Sequence, residues 1–103
     1  FNGFTTPLSE IEKSQPLSFH INKAYPNPFN PSTTIKFSLD FSQDIDLKVY
    51  GVNGNFVETL IKSRLTKGKH SIHWNASNYP SGVYFIQIKS RNELKTQKVV
   101  LIK

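Results

Sequence analysis

A proline-rich segment is the strongest local constraint on how this chain folds. It runs Tyr-Pro-Asn-Pro-Phe-Asn-Pro over residues 25–31 and holds three of the six prolines. Each proline fixes its own φ at about −65°, has no N–H to donate, and restricts the preceding residue to extended conformations. The segment is therefore unsuited to a helix or a central strand. It predicts a stiff connection that leads into a β-domain.

The residues directly after the prolines alternate between apolar and polar. Ile35, Phe37 and Leu39 are separated by single polar residues within 33–39, a period typical of a strand with one buried face. Turn residues separate this strand from six similar runs, at 19–24, 44–52, 55–63, 67–74, 82–90 and 94–103. Seven short strands without a credible helix predict an all-β fold, an immunoglobulin-like seven-stranded antiparallel β-sandwich.

The first eighteen residues differ from the rest of the chain. They hold Pro7 and Pro16 among Ser, Thr, Asn and Gln, and they show no sustained hydrophobic period. We expect residues 1–18 to be a linker from an upstream domain and residues 19–103 to be the β-domain. Because the chain begins with Phe, we also expect it to be a piece of a longer protein or a processed product.

Charge is unevenly distributed along the chain. Residues 1–18 have a net charge of −1, whereas residues 19–103 carry twelve Lys and Arg against five Asp and Glu, a net charge of +7. A basic domain attracts nucleic acid, anionic glycans or lipid headgroups, but lysines also protect strand edges from aggregation. The lysines form no block, which favours the second interpretation and predicts no nucleic-acid partner. No run approaches the roughly 20 apolar residues of a membrane span, so we expect no stable membrane insertion.

Residues suited to catalysis or metal binding are few. The chain has no cysteine, and His70 and His73 are three positions apart on a predicted strand, so they point to opposite faces. His20 lies on a different strand, and the aspartates within 40–46 lack the glycine and glutamate of a calcium loop. No carboxylate pair or nucleophile motif is present. We expect no catalytic residue, no metal, no cofactor and no enzymatic activity.

Two interpretations are open for the aromatic residues. Trp74 with Tyr50, Tyr79 and Tyr84 would form either a sugar-stacking platform or part of the core. Their positions on the predicted strands favour the core. Phe29, held between prolines, is expected to close one end of the sandwich as a plug.

The motifs in their order resemble one family, the type A C-terminal sorting domain of the type IX (Por) secretion system of Bacteroidetes-related bacteria. The likeness covers about residues 19–103 and is therefore more specific than any single motif. The chain also resembles the immunoglobulin-like part of flagellar hook-capping proteins. This similarity is weaker, because no rod-assembly segment is present. The matching stretches are 25–35, 47–50, 57–60, 68–77, 80–85 and 98–103.

The resemblance implies a function as well as a fold. The domain would be a C-terminal secretion signal that directs a cargo protein through the periplasm and the type IX outer-membrane translocon. A sortase would then remove the domain or join the cargo to the cell surface, so the protein would be secreted or surface-bound. The recognition residues implied by the family motifs are Pro26, Asn27, Pro28, Gly82, Val83, Tyr84, Lys98, Val99, Val100, Leu101, Ile102 and Lys103.

The last six residues allow two interpretations that are compatible with each other. Lys98 and Lys103 flank four apolar residues, so this strand would present its backbone to a receptor by strand addition at a sheet edge, or it would complete the sandwich. An alternative function is an accessory immunoglobulin-like module that attaches a secreted enzyme to a glycan or cell surface. That module would use the aromatic residues and the lysines.

Overall fold

Seven β-strands form two sheets in the computed structural model, which describes residues 19–91 and 93–103. Residues 1–18, the predicted linker, lie outside the described residues. Within the described part there is no helix long and apolar enough to cross a membrane. The strands are β1 Phe19–Ile21, β2 Ser32–Leu39, β3 Gln43–Gly51, β4 Phe56–Leu65, β5 Gly68–Asn75, β6 Gly82–Lys89 and β7 Leu94–Leu101.

The strands divide between a three-stranded and a four-stranded sheet. The first has the order β1-β2-β5 and the second the order β4-β3-β6-β7. All neighbouring strands are antiparallel. The two sheets pack their apolar faces against each other, which confirms the predicted all-β, immunoglobulin-like sandwich.

The core follows from the alternation of the sequence. In β2 and β3 every second residue is buried, because successive side chains of a strand point to opposite faces. Thr33 is also buried, and its hydroxyl donates to the Pro26 carbonyl at 2.7 Å. The buried apolar residues are Phe19, Ala24, Phe29, Ile35, Phe37, Leu39, Ile45, Leu47, Val49, Trp74, Ala76, Tyr84, Ile86, Ile88, Val99 and Leu101.

The β3–β4 turn differs from its sequence-based prediction. The Asn53-Gly54 pair predicts a two-residue hairpin turn with both residues at positive φ. Instead, the Gly54 N–H donates to the Gly51 carbonyl, and the Gly51 N–H donates to the Asn55 carbonyl. The loop therefore has three residues, and Gly54 (φ +83°) ends it in the left-handed conformation.

The first strand is also shorter than the predicted run of 19–24. It ends at Ile21, and the backbone N–H of Ala24 then donates to the Gln97 side chain at 2.8 Å. The chain nevertheless stays beside β2, because Tyr25 and Thr34 exchange two backbone hydrogen bonds at 3.0 Å, and the Gln97 side chain connects it to β7 of the other sheet.

Candidate recognition surface

The proline segment (residues 25–31) lies along the terminal strand β7. Phe29 forms a parallel bridge with Leu101. The Phe29 N–H donates to the Val100 carbonyl at 2.9 Å, and the Ile102 N–H donates to the Phe29 carbonyl at 2.9 Å. These two backbone hydrogen bonds fix the segment to the edge of the four-stranded sheet.

The side chain of Asn27 extends this pairing. Its Nδ2 donates to the Lys98 carbonyl at 3.1 Å, and its Oδ1 accepts from the Val100 N–H at 3.0 Å. An asparagine amide carries donors and an acceptor on one short stem, so it imitates a peptide group of a neighbouring strand. Asn27 and Phe29 together bind four backbone groups between Lys98 and Ile102.

Farther along β7, the roles are reversed, and the side-chain amide of Gln97 binds backbone groups of the residues that precede the proline segment. Its Nε2 donates to the Asn22 carbonyl at 2.6 Å, and its Oε1 accepts from the Ala24 N–H. The ammonium of Lys95 lies 3.4 Å from the Phe19 carbonyl and 5.1 Å from the centre of the Phe19 ring. The sequence analysis did not single out Gln97, although a glutamine at an inward-facing position of a strand indicates a structural hydrogen bond.

These contacts change the interpretation of the terminal strand. Its position at the edge of the four-stranded sheet agrees with the strand-addition hypothesis. The expectation that its backbone is free for a receptor is wrong over residues 98–102, because the proline segment already binds this stretch. Covering an edge in this way also protects it against unwanted pairing with other chains.

An aromatic cluster closes the same end of the sandwich. Phe29 is only 2% exposed, and its ring centre lies 5.4 Å from that of Trp74. Trp74 also lies 5.4 Å from Tyr84 and 6.0 Å from Tyr79, while its Nε1 donates to Glu58 at 2.8 Å. The cluster confirms the prediction that Phe29 is a plug. It also buries Trp74 and Tyr84, so these two rings are not accessible for stacking on a sugar.

The Glu58 carboxylate influences a second member of this cluster. Partial burial raises the pKa of Tyr79 above its ordinary value of 10.0, and the hydrogen bond and charge of Glu58 raise this pKa further. Both effects favour the neutral phenol, because its ionisation would place a second negative charge beside the carboxylate. Tyr79 therefore stays protonated at neutral pH and contributes its ring to the cluster.

The last residue also contacts this end of the fold. The Lys103 ammonium donates to the Ser77 carbonyl at 2.6 Å, and its backbone N–H donates to Ser81 Oγ at 3.0 Å. Tyr84, on the neighbouring β6, donates from its hydroxyl to the Pro80 carbonyl at 2.6 Å. The β5–β6 connection is thus held from both sides.

The twelve residues implied by the family motifs differ in their accessibility. Tyr84, Val99 and Leu101 are buried in the core, whereas Gly82, Val83 and Val100 are partly exposed. The exposed ones are Pro26, Asn27, Pro28, Lys98, Ile102 and Lys103. The hydrogen bonds of Asn27 and Phe29 bring the proline segment beside the terminal strand, so the exposed residues of these two stretches lie together on one surface, the candidate for the recognition surface.

The histidines and acidic residues do not converge on a site. His70 stacks on Phe37 with ring centres 5.6 Å apart, while His73 lies on the opposite face of β5 beside Thr34, as predicted from their spacing. Among the described residues no group of three His, Cys, Asp or Glu has a geometry suited to a metal ion. The aspartates have separate partners: Lys48 pairs with Asp46, Arg64 pairs with Asp44, and the His20 Nε2 lies 3.4 Å from an Asp40 carboxylate oxygen.

Comparison with known proteins agrees with this geometry. Residues 23–103 match the family described as the secretion system C-terminal sorting domain, a family of sorting signals and not of enzymes. No curated protein matches the chain significantly. A solved structure of PorZ, an essential surface component of the type-IX secretion system of Porphyromonas gingivalis, is similar, with 21% identity and a TM-score of 0.53. The match covers 81% of this chain and 11% of PorZ, and it shows a shared fold. The chain therefore belongs to the family of C-terminal sorting domains that serve as type IX secretion signals.

Proposed function

We propose that this domain directs an upstream cargo protein through the periplasm and the type IX outer-membrane translocon to the cell exterior. A sortase then removes the domain, either to release the cargo or to anchor it at the cell surface. The observation that supports this proposal is the pairing of Asn27 with Lys98 and Val100. It joins the two ends of the family pattern, the proline segment and the terminal strand, in one surface.

This arrangement makes recognition dependent on folding. The proline segment and the terminal strand are 71 to 73 residues apart in sequence at their side-chain hydrogen bonds. An unfolded chain has no such surface, so a translocon component that contacts both stretches selects cargo whose signal domain has already folded. The exposed side chains of Pro26, Pro28, Lys98 and Ile102 are the contacts that we assign to this component, while Tyr84 acts through the core.

The test is export of a reporter protein fused to the whole chain in a bacterium that carries the type IX machinery. Deleting the last six residues is a poor variant, because it removes Val99 and Leu101 from the core. Ile102→Ser is sharper, since this side chain is 52% exposed and its loss leaves the core intact. His73→Ser is the control, at an exposed position of β5 in the other sheet.

We expect Ile102→Ser to lower export about tenfold, the effect of losing roughly 1.4 kcal/mol of binding free energy. His73→Ser should be exported like the unmodified chain, and both variants should keep the melting temperature within a few degrees. Equal export of the two variants would show that Ile102 does not contribute to the recognition surface. If the reporter fused to the unmodified chain stayed inside the cells, this result would contradict the proposed function itself.

The alternative, an accessory glycan-binding module, has less support. It depends on aromatic rings that stack on sugars, and two of the four candidates, Trp74 and Tyr84, are 1% and 6% exposed. Retention of the purified chain on an anionic polysaccharide column, abolished by substituting an exposed aromatic residue, would favour it over the sorting signal.

A further inference from the structure

The outer faces of the two sheets have opposite character. The strand residues on the face of the three-stranded sheet are polar and include His20, Thr34, Lys36, Ser38, Lys69, Ser71 and His73, while the exposed ring of Tyr25 lies beside Thr34 at the edge of this face. On the four-stranded sheet, by contrast, Phe56, Tyr50 and Phe85 lie directly opposite one another on β4, β3 and β6. Lys98 of β7 completes this line across the sheet. We call the three aromatic residues the aromatic row.

The aromatic row is accessible to a partner. Phe56 is 57% exposed, and its ring packs edge-to-face on Tyr50 with centres 6.0 Å apart. Because neighbouring strands are about 4.8 Å apart, the line from β4 to β7 spans about 14 Å. A shallow depression of about 430 Å³ lies beside it, lined by Tyr50, Phe85, Gln87, Thr96 and the β3–β4 turn.

Aliphatic residues enlarge this apolar area. Val83 and Val100 are directly opposite each other on β6 and β7, and Val52 in the β3–β4 turn is 65% exposed. The core of a sandwich needs only the inner faces of its sheets. A contiguous apolar area on an outer face is typical of an interaction site, and the polar outer face of the other sheet shows that this fold does not require one.

The charges around the aromatic row indicate what binds there. Lys48 and Lys98 lie on the same face, and Lys62 and Lys89 lie directly opposite Asp46 on its two neighbouring strands. Asp46 is itself within 3.2 Å of the Lys48 ammonium. With Arg64 and Asp44, which pair on the same face, five basic residues against two aspartates give the face a net positive charge. A second copy of this domain is therefore a poor partner, because like charges would meet across the interface.

We propose that the outer face of the four-stranded sheet docks a folded protein whose apolar contact area is bordered by carboxylates. Most of the apolar area is phenylalanine and valine, and Tyr50 alone in the aromatic row offers a hydroxyl to a sugar, so a protein fits this face better than a glycan. This proposal rests on the proposed function, since the partner would be a component of the sorting machinery. The contact area adjoins the recognition surface at Lys98 and Val100, so one partner would cover both.

The test uses the reporter fusion described above with two pairs of variants. The first pair compares a chain that carries both Phe56→Thr and Phe85→Thr with a control chain that carries both His20→Thr and His73→Thr, at two exposed rings on the face of the other sheet. The second pair compares a chain that carries both Lys62→Glu and Lys89→Glu with a control chain that carries both Lys36→Glu and Lys69→Glu, on the polar face of the other sheet. The second pair keeps the test decisive if the aromatic variant does not fold.

We expect about tenfold lower export for the Phe56/Phe85 and Lys62/Lys89 variants, with both controls exported like the unmodified chain and all melting temperatures similar. Folded variants exported normally, alongside a defective Ile102→Ser, would overturn docking on this face and leave the proposed function standing. Failure of the unmodified chain to be exported would instead contradict the function.

Other occupants give different outcomes, each of which overturns the proposal. A concentration-dependent dimer in analytical ultracentrifugation, lost in the Phe56/Phe85 variant, would assign the face to a second copy. Retention on anionic polysaccharide that this variant loses would assign it to a glycan. A defect that appears with one reporter protein and disappears with an unrelated one would assign it to contacts with the cargo.

Discussion

The side-chain carbonyl of Asn27 accepts a hydrogen bond from the backbone N–H of Val100 at 3.0 Å, across 73 residues of sequence. Asn27 stands immediately before Pro28, which restricts its backbone to extended conformations. The backbone that carries the amide therefore loses little conformational freedom when the amide binds the terminal strand. The prolines of the family motif thus have a direct structural consequence, because they hold this amide in position to bind β7.

Replacement of Asn27 by alanine tests this contact. The variant loses two hydrogen bonds to β7, at a cost of about 1–2 kcal/mol in the free energy of unfolding. The expected fall in melting temperature is about 4–8 °C for each kcal/mol in a domain of this size. Asn30→Ala is the control, at an exposed asparagine that also precedes a proline. Identical melting curves for both variants would contradict a stabilising role of the Asn27 amide.

Phe29→Ala measures the value of the plug at the end of the sandwich. The substitution leaves a cavity beside Trp74 and should lower the free energy of unfolding by about 3–5 kcal/mol. Urea denaturation followed by tryptophan fluorescence reports both the loss and the changed surroundings of Trp74. Tyr25→Ala, at an 80% exposed aromatic of the same segment, should cost less than about 0.5 kcal/mol. A comparable loss in both variants would show that the segment as a whole, rather than the plug, stabilises the fold.

Tyr79 predicts a stability change at alkaline pH. Because its pKa is raised in the folded protein by burial and then by Glu58, the folded state holds the phenolic proton more tightly than the unfolded state. This contribution is complete below the ordinary pKa of 10.0 and is lost as the pH rises through the folded-state value. Urea titrations at pH 9 and pH 11 should therefore show a smaller loss of stability for Tyr79→Phe than for the unmodified chain. The two proteins differ only at residue 79, so an equal loss in the two would refute the contribution of Tyr79.

Gly82, the first residue of β6, has a φ of +157° that side-chain-bearing residues rarely adopt. No atom lies within 4 Å of the position that a Cβ would take, so the cost of a substitution comes from the backbone rather than from a clash. We expect Gly82→Val to lower the free energy of unfolding by about 1–3 kcal/mol. Ser71→Val places the same side chain on an exposed position of β5 and should leave the stability nearly unchanged. A melting temperature of Gly82→Val equal to that of the unmodified chain would show that valine fits the backbone there.

Local patterns in the sequence were sufficient for the strands and for part of the core. The alternation of Ile35, Phe37 and Leu39 in β2 predicted both the strand and its buried face. The prolines on either side of Phe29 predicted a plug. These features depend on residues close together in the chain, whose side-chain directions follow from the period of a strand. The β3–β4 turn is an exception that also involves neighbouring residues, since Gly54 closes a three-residue loop and not the predicted two-residue turn.

The amino-acid sequence by itself determined which residues form strands, which side chains can be buried, and that the order of motifs is that of a sorting domain. Only the tertiary structure decided which strands are neighbours and in what register. The pairing of Asn27 with Val100 depends on that register. So does the aromatic row, because β3 and β4 are shifted between Leu47 and Lys48 and again between Val49 and Tyr50. A shift of one residue moves every side chain of a strand to the other face, and only contacts between segments far apart in sequence fix it.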